Sequence, residues 1–227
     1  MTPATPSAKL GDEGEGERVT TDVKRLVPSY RARAGRFAVV EVPPLQHLAV
    51  DGAGDPNTAP AYARALAALY PLAYALKFLS RDALGRDHVV MPLEALWWSA
   101  DPATFTSARD KSRWSWTLMI MVPDWIGEEH VGTARATVRR RAGPRALDPT
   151  ALEEVRLQPL DEGLAVQTLH VGPYDDEGPV LAAMHDAFIP AQGLRMTGHH
   201  HEIYLSDPRR TPPARLRTIL RQPVARA

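Results

Sequence analysis

The order of segments in this chain runs through twice, and that repetition constrains the fold more than any other feature. PLQHLAV, Pro44 to Val50, returns as PLDEGLAV, Pro159 to Val166, with one extra residue before the shared Leu-Ala-Val. Each copy leads into a turn rich in Gly, Pro and Asp, DGAGDP in the first half and HVGPYDD in the second, and each turn leads into a helical pattern. Two strand-like runs close each half: HVVMPLEALWW and RWSWTLMIMV, then GHHHEIYLSD and RTILRQPV. A chain that spells strand-helix-strand-strand twice, an internal duplication of about 80 to 100 residues, predicts an α+β fold of two pseudo-symmetric modules. The first covers about 37–142 and the second about 151–227, and PLEALWW laid over HHEIYL sets Glu94 on Glu202.

The helical segments carry the expected apolar stripes. Between Ala59 and Leu79, Leu66, Leu69, Ala73 and Leu76 fall on one stripe, and Tyr62, Leu66, Tyr70, Tyr74 and Phe78 on the next. A helix apolar around most of its circumference is buried from several sides, so Tyr70 and Tyr74 are read first as core, and Pro71 predicts a kink or break. From Asp124 a capping residue, Glu128 and Glu129, and then Arg139 to Arg141 before Gly143 match the dipole of another helix. In the second half, Leu181, Met184, His185 and Phe188 share a face between Glu177 and Ile189.

Composition excludes several classes of function. The 27 basic and 27 acidic residues cancel, which argues against broad binding of nucleic acid or membrane surfaces. Without cysteine there is no disulfide, thiolate metal site or thiol nucleophile. No signal-peptide core and no apolar run of membrane-spanning length is present, so a soluble cytoplasmic protein, monomer or homodimer, is expected. Residues 1–20 are too polar to offset their ordering entropy and are read as a disordered tail before a single domain over 21–227. The 36 residues before the first strand are too few and irregular for a three-helix DNA-binding module.

Candidate chemistry centres on HHHEIYLSDPRR, His199 to Arg210. Strand alternation turns Ile203 and Leu205 one way and His200, Glu202 and Tyr204 the other, so a carboxylate and a phenol share a face. A carboxylate there needs water, a hydrogen-bond partner or a ligand. The duplication lends Glu94 the same candidacy. Trp114 and Trp116 share a face with Leu118 and Ile120, and Trp98 shares one with Glu94 and Leu96, so tryptophan walls beside a carboxylate could stack a planar ligand or hold a cation. Tyr174 could rim such a cleft. His199 and His201 could converge on a metal, but no third ligand follows in the pattern, so no metal and no cofactor are expected. Neither a G-x-S-x-G elbow nor a phosphate loop occurs.

The order of elements, the GPYDD turn and the HHEIYLSDPRR strand together resemble the GyrI-like family of small-molecule-binding proteins. MPLEALWW, WSWTLMIMVPDW, LHVGPYDDEGP and HHEIYLSDPRRTPPARLRTILRQPV are similar to its stand-alone branch, which includes cyclopropanoid cyclopropyl hydrolases. The resemblance spans roughly Asp22 to Val224. It implies a concave sheet cleft backed by helices, a ligand-facing glutamate at Glu202, and an aromatic cage assigned here to Trp98, Trp116 and Tyr204, with Trp125 as a further member. It also implies a reaction, water addition to an activated cyclopropane of a flat aromatic compound. Tyr204 would act on the conjugated carbonyl and Glu202 or Glu94 on water, while His200 and Tyr174 would contact the ligand. The alternative is a protein that binds planar, possibly cationic, drugs without turnover; a third reading is a tetrapyrrole binder of similar fold.

Overall fold

The computed structural model describes residues 20–101, 104, 110–146 and 148–227; most of the N-terminal tail lies outside them. In chain order, α1 (Val23–Leu26) precedes β1 (Ala38–Val42) and β2 (Leu45–Ala53), then α2 (Pro60–Ala83), β3 (Leu93–Trp98) and β4 (Ser115–Met121). Helices α3 (Glu128–Ala146) and α4 (Pro149–Glu154) join the halves. The second half runs β5 (Arg156–Leu160), β6 (Gly163–Val171), α5 (Gly178–Ala182), a π-helical turn (Ala183–Phe188), α6 (Ile189–Ala191), β7 (Leu194–Met196), β8 (His200–Tyr204) and β9 (Arg217–Arg226).

Among the described residues nine strands join one antiparallel sheet, ordered β1-β6-β9-β8-β3-β4-β2-β5, with β7 paired to β9. The order is symmetric about the β8–β3 junction. Edge strands are exchanged across it: β1, which precedes β2, pairs with β6, and β5, which precedes β6, pairs with β2.

Directly paired residues in an antiparallel ladder point to the same face, and successive residues alternate. The registers therefore put Val50, Leu118, Ala95, Glu202 and Leu220 on one face, and Glu94, Leu96, Met119, His201 and Arg221 on the other. Helix α2 covers the first face over β2 and β4, through Leu69, Leu72 and Leu76 against Leu48, Val50, Leu118 and Ile120. Helix α3 packs on α2 through Val131, Ala134 and Val138. The second helical stretch covers the same face over β6 and β9, with Met184 and Ile189 against Val166, Leu220 and Val224. The two helical layers thus flank the middle strands instead of lying behind the sheet, and the gap between them is the cleft.

Several local expectations change. Pro71 does not end α2, because it sits at an exposed position beside exposed Ala67, where the carbonyl it leaves without a partner can meet solvent. The strand expected from His88 starts only at Leu93, after Pro92, which has no N–H to give to a ladder. Asp124 does not cap α3, which starts at Glu128; the imidazole Nδ1 of His130 accepts the Gly127 N–H at 2.9 Å instead. That helix also continues past Gly143 to Ala146.

Candidate functional site

Side chains from the bare middle of the sheet and from the two flanking helical layers line a cleft of about 980 Å³. That is the size of pocket that holds a drug-sized ligand. From β8, His200, Glu202 and Tyr204 reach it, as strand alternation requires. Glu202 is paired to Ala95 on β3, whose small side chain leaves depth beside the carboxylate, and His200 is paired to Trp97, which rises as a wall.

The polar centre is a chain of hydrogen bonds. Trp97 Nε1 donates to the Tyr204 hydroxyl at 3.1 Å, and that hydroxyl donates to Glu202 Oε2 at 2.7 Å. The other carboxylate oxygen, Oε1, lies 3.5 Å from His200 Nε2. Aromatic rings enclose this centre: Tyr62 stacks on Trp97 at 6.4 Å, Trp114 meets Trp97 edge-on at 5.7 Å, and Tyr174 meets Tyr204 edge-on at 5.5 Å. Burial, reinforced by the negative charge of Glu202, raises the pKa of the Tyr62 and Tyr204 phenols. Burial together with Glu177 and Glu202 pushes Tyr174 up to about 12. All three are neutral hydrogen-bond donors across the physiological range.

Of the residues selected from sequence, the structure brings Glu202, Tyr204, His200 and Tyr174 together at the cleft. It separates the others. Glu94 is paired to Ile203, not to Glu202, so it points away from the cleft and is 1% exposed. Trp98 follows it to that side and stacks on His199 at 4.5 Å. Trp116 is on the cleft side of the sheet but fully buried under α2, with its Nε1 donating to the Gly54 carbonyl at 3.3 Å. Trp125 donates to Ser80 Oγ at 2.9 Å and lies under the Arg86 guanidinium, away from the cleft. Tyr204 is present but its proton is engaged by Glu202, so it orients the carboxylate instead of standing free for a ligand carbonyl. The residues missed are Trp97, Tyr62 and Tyr70, while Trp114, offered from sequence as a wall, does line the cleft. The tyrosine stripe was visible in the helical pattern, but a stripe does not say whether a core or a cleft faces it.

Behind the sheet, Glu94 serves a different purpose. Tyr30 donates to its Oε1 at 2.6 Å, and His201 Nε2 lies 3.0 Å from its Oε2, with His47 at 3.5 Å. His201 Nδ1 lies 3.0 Å from Glu162, which takes a 2.6 Å bond from Arg221. Burial alone would favour the neutral ring of His201, but the charge and hydrogen bond of Glu162 and the hydrogen bond of Glu94 outweigh it and push the group up to about 9. With both nitrogens of His201 held by carboxylates, His199 and His201 form no metal site. Among the described residues no group of three His, Cys, Asp or Glu is placed to hold a metal ion.

A cleft walled by aromatic rings, floored by one carboxylate and open between the helical layers of a paired-module sheet defines a small-molecule-binding α+β protein. Residues 36–225 match the GyrI-like small molecule binding domain, and the chain belongs to that family. Among solved structures it is similar to an uncharacterized conserved protein from Listeria innocua, at 37% identity and a TM-score of 0.80, with 90% of this chain and 99% of that one covered. It is likewise similar to a hydrolase from Listeria innocua, at 35% identity and a TM-score of 0.74, with the same 90% and 99% covered. The EcmrR C-terminal domain shares the fold at 12% identity, with a TM-score of 0.51 over 85% of this chain and 98% of that one. The curated proteins offer no match.

Proposed function

We propose that the protein is a hydrolase that opens the cyclopropane ring of flat aromatic alkylating agents by adding water. The observation that carries this reading is the Tyr204–Glu202 hydrogen bond at the floor of an aromatic cleft, supported by the 35% identity to a protein described as a hydrolase. The planar ligand would stack against Trp97 and Tyr62, with its strained ring over Glu202. In the reaction a water oxygen bonds to the ring methylene, the carbon–carbon bond to the ring junction breaks, and its electron pair passes into the conjugated carbonyl. That oxygen gains a proton and the water loses one, so the product is an alcohol and a phenol. Glu202 holds the water, Tyr204 holds Glu202, and Tyr62 and Tyr174 supply neutral O–H donors for the carbonyl oxygen.

A second reading is favoured by one observation. Glu202 has Tyr204 and His200 as neighbours, and among the described residues no lysine or arginine pairs with it, so its charge would draw a planar cation. Mixing the protein with a cyclopropane-bearing planar alkylator and following the product mass separates the two. Conversion to a product heavier by one water, slowed roughly 100-fold or more in Glu202→Gln, is the expected result. Saturable binding without conversion, with cationic dyes weakened by the same substitution and neutral ones unaffected, would replace hydrolysis with sequestration.

A further inference from the structure

His200 has an environment that carboxylate-centred chemistry does not use. Its side chain is 14% exposed, but both ring nitrogens are buried without a hydrogen-bond partner among the described residues, and its Nε2 lies 3.5 Å from Glu202 Oε1. Leaving two buried polar atoms without partners costs free energy, so an isolated structural imidazole would be expected to acquire them. The far side of the ring is met edge-on by His185, at 6.0 Å between centroids. His185 comes from the π-helical turn Ala183–Phe188, a form of helix that is rare and concentrates at functional sites. Pro190 gives a local cause: it has no N–H to return to the Asp186 carbonyl, so the ordinary ladder cannot continue there.

We infer that His200 is the group that removes the proton from the attacking water, with Glu202 holding the imidazole and stabilising its charged form. This rests on the hydrolase reading and assigns its proton-transfer step. Residues two apart on a strand share a face, so the β8 sequence His-His-Glu-Ile-Tyr sets imidazole, carboxylate and phenol in a row. The row is ordered by hydrogen bonds: Trp97 to Tyr204, Tyr204 to Glu202 Oε2, leaving Oε1 turned to His200. When the ring takes the water proton it becomes a cation 3.5 Å from a carboxylate in a cleft walled by apolar rings, where that attraction is stronger than in water. As the water oxygen bonds to the cyclopropane methylene, His200 holds the proton until it passes to bulk water, and the product phenolate, held by neighbouring phenol O–H donors, takes its proton from solvent. No oxidant or reductant is required.

The surrounding groups fit this assignment. Burial and the neighbouring His200 pull His185 down to about 4, so it stays uncharged in neutral solution and does not oppose a charge on His200. Glu202 meets the ring at Nε2, and the cleft that His200 lines also carries Glu177, Asp175 and Asp207 with the cations Lys24, Lys111 and Arg209. The phenols of Tyr62, Tyr174 and Tyr204 titrate far above neutrality and stay uncharged as the ring takes up its proton.

The test is a pH profile of kcat/KM for ring opening in the wild type, His200→Gln, His200→Ala and Glu202→Gln, with quenching by a planar ligand lacking the cyclopropane measured on each protein. The expected result for His200→Gln is a fall in kcat of roughly 100-fold or more, unchanged affinity for the planar ligand, and loss of the acid limb of the profile. Added imidazole should restore part of the activity of His200→Ala, saturably, which a purely structural histidine would not do. A His200→Gln protein that keeps its kcat and its acid limb while Glu202→Gln loses both overturns the assignment and leaves the hydrolase intact. Absence of ring opening in the wild type overturns both.

Discussion

Trp97 and Trp116 are direct partners across the β3–β4 ladder, yet they serve different ends. Trp97 sits where α2 leaves the sheet open, stacked on Tyr62 and bonded to Tyr204, so its removal should weaken planar ligands of either charge by roughly 10-fold. Fluorescence titration with one neutral and one cationic dye checks this, and an effect on the cation alone would contradict a stacking role. Trp116 lies beneath Tyr62 and over Gly52, so close that a Cβ at Gly52 would overlap its indole. Trp116→Ala should therefore cost about 3–5 kcal/mol of stability, read from urea unfolding, and Gly52→Ala should also destabilise the fold by displacing the ring. The family resemblance implied a cage, and Trp98 and Trp116 were assigned to it beside the face that alternation gives to Trp98 and Glu94. What alternation cannot give is the register between neighbouring strands, and a shift of one residue exchanges every side chain between the faces. Glu202 and Tyr204 were legible from their own strand. Trp97 was not, because its face is fixed only by its pairing with His200.

At the scale of the strand, β8 has two chemical faces. His200, Glu202 and Tyr204 serve the cleft, while His201 and Ile203 face a buried network that joins β3, β8, β9 and the β5–β6 turn through Glu94, Glu162 and Arg221. The network makes stability depend on pH in a defined direction. His201 is raised from 6.5 to about 9 on folding, so its contribution is complete below about pH 6.5 and disappears as pH rises through 9. Glu162, disfavoured by burial but lowered overall from 4.5 to about 2 by His201 and Arg221, contributes above about pH 4.5 and loses that contribution as pH falls through 2. The urea midpoint should therefore be highest between about pH 4.5 and 6.5 and decline on either side. In His201→Gln the alkaline decline should flatten while the whole curve drops, since a buried carboxylate loses its cation. A variant whose alkaline decline matches the wild type would show that His201 is not charged in the folded protein. The triple histidine was visible in the sequence, but the carboxylates that divide it between two faces are distant along the chain.

For the molecule as a whole, the repeated Leu-Ala-Val pattern was a sound guide to topology and a misleading guide to equivalence. If Leu48-Ala49-Val50 is laid on Leu164-Ala165-Val166, Gly52 falls on Thr168. The ladders then lead from Gly52 through Trp116 to Trp97, and from Thr168 through Leu220 to Glu202. Trp97, not Glu94, is thus the pseudo-symmetric counterpart of Glu202, which explains how a duplicated scaffold sets one central-strand carboxylate against an aromatic wall. The exchange of edge strands was not legible either, because β1 and β5 are short and nothing local says which copy each will join. That exchange has a consequence for folding. The first half lacks β5 to cover β2, the second lacks β1 to cover β6, and each leaves its middle strand, β3 or β8, as an open edge with half of a buried ionic network. Separately produced fragments 20–147 and 148–227 should therefore show no cooperative thermal transition alone, and on mixing should recover one, together with quenching by a planar ligand. A cooperative transition in either fragment by itself would mean that the repeat is two independent folding units, and that the exchanged edges and the shared network are not what hold the sheet together.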